Sequence, residues 1–229
     1  MSAGRIESLR IRGFRSLAAA DLSSLANANV LIGANGSGKS NFIRLFEMIC
    51  WMLRYPRSLN EFVQRHGGAD DQLYGGSTVT SRIAVELGVR TDQGLYDYRF
   101  ALANAHPDRL VFAEEAVRDR AQVASGNEGW YAFADRHPEA TVVYAAQIDA
   151  IPPTERNAAR AIVSTLRSCA AYQFHDTSDD SSFMKHWDAE DSDCLLPHGG
   201  NLAAVLHRLA RGDSPRVEVI SGHIQRVLP

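Results

Sequence analysis

Eight consecutive residues of the 229-residue chain have the types and spacing of a phosphate-binding loop. Gly33-Ala34-Asn35-Gly36-Ser37-Gly38-Lys39-Ser40 fits the pattern G-x-x-x-x-G-K-[ST] without a gap. The glycines permit backbone conformations that a Cβ atom would penalise, so that successive N–H groups can surround an anion. Lys39 is predicted to reach the β- and γ-phosphates of a nucleotide, and the Ser40 hydroxyl to ligate Mg²⁺. The loop therefore predicts a binding site for ATP with Mg²⁺.

The segments on either side of the loop have the patterns that such a site requires. The apolar run Val30-Leu31-Ile32 predicts a short strand that is covered on both faces. After the loop, apolar residues at helical spacing predict an amphipathic helix that begins at about Lys39 and ends at Pro56. Its free N–H groups and positive dipole end would face the anion. The apolar positions are Phe42, Leu45, Phe46, Ile49 and Leu53, with Arg44, Glu47 and Arg54 opposite.

The rest of the chain changes from strand to helix periodicity. Leu9 and Ile11 alternate with arginines, which predicts a strand with one buried face. Two runs with period two, 83–89 and 96–102, flank the turn Arg90 to Gly94 and predict a β-hairpin. Weaker strand patterns at 110–112, 130–133 and 141–145 complete a predicted antiparallel region over 78–150. Helices are predicted at 154–170, at 202–209 and from the N-cap Ser214 onward, which makes 151–229 a helical region.

Composition narrows the class of protein. Hydrophobic residues make up 45% of the chain, as in ordinary globular proteins, and the net charge of −3 provides no basic footprint for nucleic acid. The three cysteines lack metal-binding spacing and indicate reduced thiols in a cytoplasmic protein. The most apolar run, 42–53, is interrupted by Arg44 and Glu47 and is too short to span a bilayer, so we expect no membrane partner.

Two segments resemble a known family. Asn35 to Asn41 is similar to the Walker A loop of the RecF, SMC, Rad50 and OLD-like ATPases, and Ile11-Arg12-Gly13-Phe14-Arg15-Ser16-Leu17 is similar to the first strand of those ABC-type heads. The segments Tyr172 to Thr177 and Gly200 to Ala203 also resemble RecF-like AAA-type ATPases. The resemblance implies one head domain over 1–229 with an α/β P-loop NTPase core. In that domain, 1–56 would form the strand, loop and helix, 78–150 an inserted antiparallel sheet, and 151–229 a helical lobe. The resemblance also implies that Lys39 is catalytic and that Ser40 ligates Mg²⁺. The nucleotide-binding residues that it implies are Arg15, Asn35, Gly36, Ser37, Gly38, Lys39, Ser40 and Asn41.

Other elements of such heads have no counterpart in this sequence. No segment resembles the LSGGE signature, and the nearest match to a Walker B strand, Leu110 to Glu115, has glutamate in place of the Mg²⁺-side aspartate. That segment is more simply an ordinary strand with an acidic end. In the family the missing parts follow the point where this chain stops. The resemblance therefore implies an N-terminal half that binds ATP with little turnover. A homodimer of heads, or a C-terminal or partner half, would supply the rest, and DNA or an effector nuclease is the implied target.

Several alternatives stay open. The chain could be a non-catalytic nucleotide-binding module that acts through a partner, or a P-loop kinase or GTPase, although no Asn-Lys-x-Asp segment for guanine occurs. Gln72 and Gln147 are candidates for a Mg²⁺-sensing glutamine, but surface positions are the simpler interpretation of both. The pair His175-Asp176 and the acidic residues after it are interpreted as a solvated loop. DNA repair, chromosome maintenance and anti-phage defence all remain possible roles, because the fold alone does not select among them.

Overall fold

A computed structural model describes residues 4–54, 58–125, 129–133, 136–172, 181–212 and 214–227. The chain divides into two compact units, Met1–Cys169 and Ala170–Pro229. The first unit is built on a six-stranded antiparallel sheet with the strand order β2-β1-β3-β4-β5-β6. The strands are β1 (Arg5–Phe14), β2 (Leu17–Leu22), β3 (Arg82–Thr91), β4 (Gly94–Ala105), β5 (Arg109–Asp119) and β6 (Tyr131–Ala132).

The strands follow the alternation of the sequence. In β1 the side chains of Leu9 and Ile11 are buried, while Arg10 is exposed, as predicted. The hairpin of β3 and β4 is also confirmed. Thr91 pairs with Gly94, so the turn itself is only two residues long. The buried face of the sheet carries large apolar side chains, which form the core together with those of the helices.

Helices cover the buried face of the sheet. They are α1 (Lys39–Arg54), α2 (Ser58–Arg65), α3 (Gly68–Gln72), α4 (Thr141–Ala145) and α5 (Pro153–Ser168). Helix α5 packs on β3, β4 and β5, and α1 packs on α2 and α5. The predicted helix after the loop is therefore confirmed. Its buried positions are Leu45, Met48, Ile49, Met52 and Leu53, whereas the predicted Phe42 and Phe46 are only half-buried; Pro56 lies outside the described residues.

Two arginines join the C-terminal ends of α1 and α5. The Arg54 guanidinium donates to the carbonyl oxygen of Arg167 at 2.9 Å, and Arg167 Nε donates to the carbonyl oxygen of Leu53 at 2.7 Å. Each arginine thus satisfies a terminal carbonyl of the neighbouring helix and places its charge at the negative end of that helix dipole. The helix that follows the phosphate-binding loop is in this way fixed at its far end.

The predicted strand before the loop is not present. Residues 30–32 have no regular secondary structure, and the side chains of Val30 and Ile32 are 83% and 92% exposed. An apolar run becomes a doubly covered strand only where neighbouring strands supply its hydrogen-bond partners. None of the described strands lies beside this segment, since the sheet order ends at β2 and β6.

The predicted strand at 141–145 is also wrong, because these residues form helix α4. The backbone N–H groups of Thr141 and Val142 donate to the carboxylate of Glu115 at 2.7 and 3.2 Å. A carboxylate at the first turn satisfies N–H groups that a helix leaves free, and it favours the helix over a strand. The other predicted strands at 110–112 and 130–133 correspond to parts of β5 and β6.

The second unit contains α6 (Leu202–Gly212) and α7 (Ser214–Val227), both as predicted. Before α6, the buried Asn201 side chain organises the connection: its amide donates to the carbonyls of Asp191 and Cys194 at 2.7 and 2.8 Å. The His175-Asp176 pair lies outside the described residues. No helix in the described part of the chain is long and apolar enough to cross a membrane.

Candidate nucleotide site

The glycine loop runs directly into the first turn of α1. The backbone N–H of Phe42 donates to the carbonyl of Gly38 at 2.9 Å, which closes the first helical turn over the loop. This first turn contains no acidic residue. Its N–H groups and the positive end of the helix dipole are therefore not neutralised by a side chain of that turn. Such a terminus favours an anion.

The loop conformation depends on residues without a side chain. Gly36 and Gly38 have φ angles of 82° and 93°, in the region that L-residues rarely adopt. A Cβ atom on Gly38 would lie 3.0 Å from Leu17 Cδ2 and 3.1 Å from Ser16 Oγ, whereas one on Gly36 would meet nothing within 4 Å. The turn between β1 and β2 therefore packs directly on the loop at Gly38.

The Lys39 side chain folds back over the loop. Its Nζ donates to the carbonyl oxygens of Gly33 and Ala34 at 2.6 and 2.8 Å, and it lies 3.5 Å from the hydroxyl of Ser37. Inside the loop the N–H of Ser37 donates to Ala34 at 3.2 Å. A positive charge thus lies within the curve of the backbone where the motif predicts a phosphate contact.

The end of β1 and the β1–β2 turn have unusual backbone conformations. Gly13 has φ of 75°, and a Cβ there would lie 2.6 Å from the carbonyl oxygen of Arg82. Two residues later Arg15 has φ of 49°, which is uncommon for a residue with a side chain. The following hydroxyl, of Ser16, accepts a hydrogen bond from the Asn41 amide at 2.7 Å. The turn is therefore linked to the first residues of α1.

Arg15 is held by Gln72. The backbone N–H of Arg15 donates to the Gln72 carbonyl at 2.9 Å, and Arg15 Nη1 donates to Gln72 Oε1 at 3.0 Å and to the His66 carbonyl at 3.3 Å. Gln72 is fully buried, so its interpretation as a surface glutamine was wrong, whereas Gln147 is exposed as predicted. The link between Gln72 and Arg15 was missed; the glycine pairs at 67–68 and 75–76, which flank Gln72, are its only signal in the sequence.

An open cavity of about 420 Å³ lies beside this contact. Arg15 and Asn41 line one part of it, and Asp70 and Asp71 another. The Ser77 hydroxyl and backbone N–H donate to Asp70 at 2.5 and 2.7 Å and lower the pKa of that carboxyl. The cavity therefore combines cationic, amide and acidic groups next to the N-terminus of α1.

The two glutamates of the Walker B-like segment lie in β5. Glu114 forms an ion pair with Arg82 at 2.8 Å on the exposed face. Glu115 is buried, accepts a hydrogen bond from the Tyr98 hydroxyl at 2.7 Å and holds the start of α4, and its burial raises its pKa. Strands β3 and β4 separate β5 from β1. Both carboxylates therefore have partners within the sheet region.

The structure links the β1–β2 turn to α1 through Ser16 and Asn41 and to the loop at Gly38, and Lys39 bonds the carbonyls of the loop. Ser40 lies next to Lys39 in the first turn of α1. Among the described residues no cluster of three His, Cys, Asp or Glu side chains could hold a metal ion. A cation at Ser40 would therefore take most of its ligands from phosphate oxygens and water, as Mg²⁺ commonly does in nucleotide sites.

Comparisons with known proteins place these features in context. Residues 28–139 match the family model described as "AAA domain, putative AbiEii toxin, Type IV TA system". The chain is also 33% identical over 138 residues to the DNA replication and repair protein RecF of Anaeromyxobacter sp. (strain Fw109-5). That alignment covers 58% of this chain and 37% of the RecF protein, so the chain spans little more than a third of the length of this relative.

Proposed function

We propose that this chain is a RecF- and OLD-like AAA-type P-loop ATPase, as the matching family model and the RecF relative support, and that its loop Gly33–Ser40 binds ATP together with Mg²⁺. The observation that carries the proposal is the position of Lys39 Nζ, 2.6 and 2.8 Å from two loop carbonyls at the N-terminus of α1. A cation, free helical N–H groups and a glycine backbone converge there. This combination suits a polyphosphate.

The residues present fit the nucleotide. The glycine at position 38 lets the β1–β2 turn pack on the loop in its present conformation, because a Cβ there would already contact Ser16 and Leu17. Lys39 would exchange its bonds to the loop carbonyls for bonds to phosphate oxygens, which are stronger because both partners are charged. Ser40 would ligate Mg²⁺, and Arg15 and Asn41 would lie beside the nucleotide. The bound cation would neutralise part of the phosphate charge.

Hydrolysis, in this proposal, requires groups that the described part of the chain does not direct at the loop. Phosphoryl transfer needs a positioned water and further charge stabilisation. The carboxylates of Glu114 and Glu115 are engaged by Arg82 and by Tyr98 and α4. A second head, or a C-terminal or partner half, would supply a Walker B acid and a signature segment. The apolar run 30–32 supports this view, since the described residues leave Val30 and Ile32 exposed and an added segment would cover them.

The biological role that we propose is work on DNA in the cytoplasm. The RecF relative is named as a DNA replication and repair protein, which favours DNA maintenance. The description of the family model that matches residues 28–139 names a putative toxin of a Type IV TA system, which favours a defence role. Binding of DNA by the ATP-loaded chain, measured beside the unloaded chain, tests for work on DNA, and absence of binding in both states would refute it.

The first test compares the wild-type chain with Lys39→Ala. We expect ATP with Mg²⁺ to bind the wild type, and Lys39→Ala to lose at least about tenfold in affinity, the usual scale for one charge-assisted contact to phosphate. Isothermal titration measures binding, and phosphate release measures turnover in the same preparation. Equal ATP affinity of the two proteins would refute the assignment of the site.

The turnover result separates catalysis from simple binding. We expect slow or undetectable phosphate release by the chain alone. Robust release that is lost in Lys39→Ala would show that the chain carries its own water-positioning acid, and would contradict the need for a partner. Absence of stimulation by any second head or C-terminal half would favour a non-catalytic module. Competition by GTP as strong as that by ATP would instead support a kinase or GTPase of another class.

A further inference from the structure

The side chain of Gln72 makes all its hydrogen bonds within the protein. Its amide nitrogen donates to the carbonyls of His66 and Gly68 at 2.8 and 3.1 Å, and its Oε1 accepts from Arg15 Nη1 at 3.0 Å. The residue is fully buried. A glutamine in this arrangement cannot ligate a metal ion without breaking bonds in a region where unsatisfied polar groups are costly. Its one contact with a charged group is the one with Arg15.

Arg15 is held on one side only. Both hydrogens of Nη1 are directed at Gln72 and His66. Nε and Nη2 make no hydrogen bond to the described part of the chain, which leaves three N–H donors. The backbone of Arg15 is in the left-handed region, with φ of 49°. Residues with side chains persist in that region where the surrounding structure holds them, and such positions cluster at ligand sites.

The turn that carries Arg15 packs against the loop and the start of α1. Arg15 and Asn41 line one cavity, and the next residue, Ser16, is bonded to Asn41 at 2.7 Å. A Cβ on Gly38 would lie 3.1 Å from the Ser16 hydroxyl. The residue after Arg15 is therefore in contact with the loop, and the Arg15 guanidinium is already held by Gln72 and His66 before a ligand arrives.

We propose that Gln72 is a positioning residue for nucleotide binding: it holds Arg15 by one nitrogen so that the other N–H groups contact a phosphate of the nucleotide bound at Lys39. This inference rests on the proposed function, because it requires the loop to bind ATP. Orientation in advance avoids the entropic cost of ordering a long side chain at the moment of binding.

A double-mutant cycle tests the proposal through ATP affinity and its dependence on salt. Arg15→Met is expected to weaken ATP binding about tenfold, which corresponds to one charge-assisted contact. Gln72→Met, which removes all three side-chain hydrogen bonds at similar volume, is expected to weaken it about threefold or more. The double variant is expected to bind like Arg15→Met alone. Both single variants should reduce the slope of log Kd against log salt, since each loses a phosphate contact.

A matched control distinguishes positioning from a merely structural effect. The Asn60 amide is half-buried and makes two hydrogen bonds to the backbone of Leu110, at 3.1 and 2.9 Å. Asn60→Leu should lower the melting temperature as Gln72→Met does, but leave the ATP affinity and the salt slope unchanged. Additive losses in the Arg15 and Gln72 double variant, or an unchanged salt slope in Gln72→Met, would overturn the proposal.

A further variant keeps the test decisive if Gln72→Met does not fold. Arg15→Lys retains the charge, but its ammonium cannot hold Gln72 and a phosphate in the fixed geometry of a guanidinium. We expect it to lose most of the affinity that Arg15→Met loses. Full affinity in Arg15→Lys would refute positioning. Loss of binding in the Arg15 variants but not in Lys39→Ala would refute the site at the loop instead, so the two failures are distinguishable.

Discussion

Substituting Gly38 by alanine tests the packing of the β1–β2 turn on the loop, and Gly36→Ala is its natural control. Both glycines have positive φ, 93° and 82°. An L-residue in this region costs about 1–2 kcal/mol. In Gly38→Ala the new Cβ also lies 3.0 Å from Leu17 Cδ2 and 3.1 Å from Ser16 Oγ, while in Gly36→Ala it meets nothing within 4 Å. Overpacking adds roughly 1–2 kcal/mol where neighbours must shift.

These costs appear as lost ATP affinity if the ligand requires the present loop conformation. A change of about 1–2 kcal/mol corresponds to roughly 5- to 30-fold in Kd, which we expect for Gly36→Ala. The sum of about 2–4 kcal/mol corresponds to roughly 30- to 1000-fold, which we expect for Gly38→Ala. Titration calorimetry or a fluorescent ATP analogue measures both. Gly222→Ala in α7, where a Cβ also meets nothing within 4 Å, should leave Kd unchanged.

The contact with Leu17 provides the decisive comparison. Adding Leu17→Ala to Gly38→Ala removes the atom that lies nearest to the new Cβ. We expect this double variant to bind ATP more tightly than Gly38→Ala, with a Kd that approaches that of Gly36→Ala. If Gly38→Ala binds ATP as well as Gly36→Ala does, the turn does not constrain the loop, and the reasoning from these distances fails.

Three further predictions concern the stability of the first unit. Tyr98→Phe removes the hydroxyl that donates to the buried Glu115 carboxylate and should lower the free energy of unfolding in urea by about 1–3 kcal/mol; Tyr96→Phe, which loses no such bond, is the control, and equal losses would contradict the role of the hydrogen bond. Burial raises the pKa of Glu115 above its ordinary value of 4.5, so the folded state holds the proton more tightly and stability should fall as pH rises from 4.5 through the folded-state pKa. Glu115→Gln should flatten this part of the pH profile, and an unchanged slope would assign it to another group. Arg167→Met removes the bond to the Leu53 carbonyl and should lower the unfolding free energy by about 0.5–1.5 kcal/mol, whereas no change in thermal unfolding would show that the ends of α1 and α5 are held by apolar packing.

Local patterns were sufficient for the loop, for α1 and for the β3–β4 hairpin. In each case the signal lies within neighbouring residues: four fixed positions in the loop, helical spacing after Lys39, and period-two alternation around a two-residue turn. The physical cause is equally local, because glycine conformations, helix amphipathicity and strand pleating depend on nearby backbone. The prediction of the phosphate-binding segment therefore needed no knowledge of the tertiary structure.

The structure of the two segments that were wrongly predicted as strands depends on residues that are distant in the sequence. The apolar and β-branched run at 141–145 fits a strand as well as a short helix by pattern alone. The helix is selected by Glu115, which lies 26 residues earlier in the sequence than Thr141 and accepts its N–H. Residues 30–32 have the composition of a covered strand, yet composition cannot indicate whether a neighbouring strand is present to cover them. In both cases the deciding contact is absent from the local sequence.

The contact of Gln72 with Arg15 could not be predicted from the sequence for the same reason. Arg15 and Gln72 are 57 residues apart in sequence, and Gln72 is buried where the pattern indicated a surface residue. A residue of this kind carries no motif, since any side chain that accepted from Arg15 and bonded two carbonyls would serve. Substitutions at Gln72 should therefore change ATP affinity although the residue need not touch the nucleotide. A screen restricted to the motif Gly33–Ser40 would miss the part of the site that the rest of the fold provides.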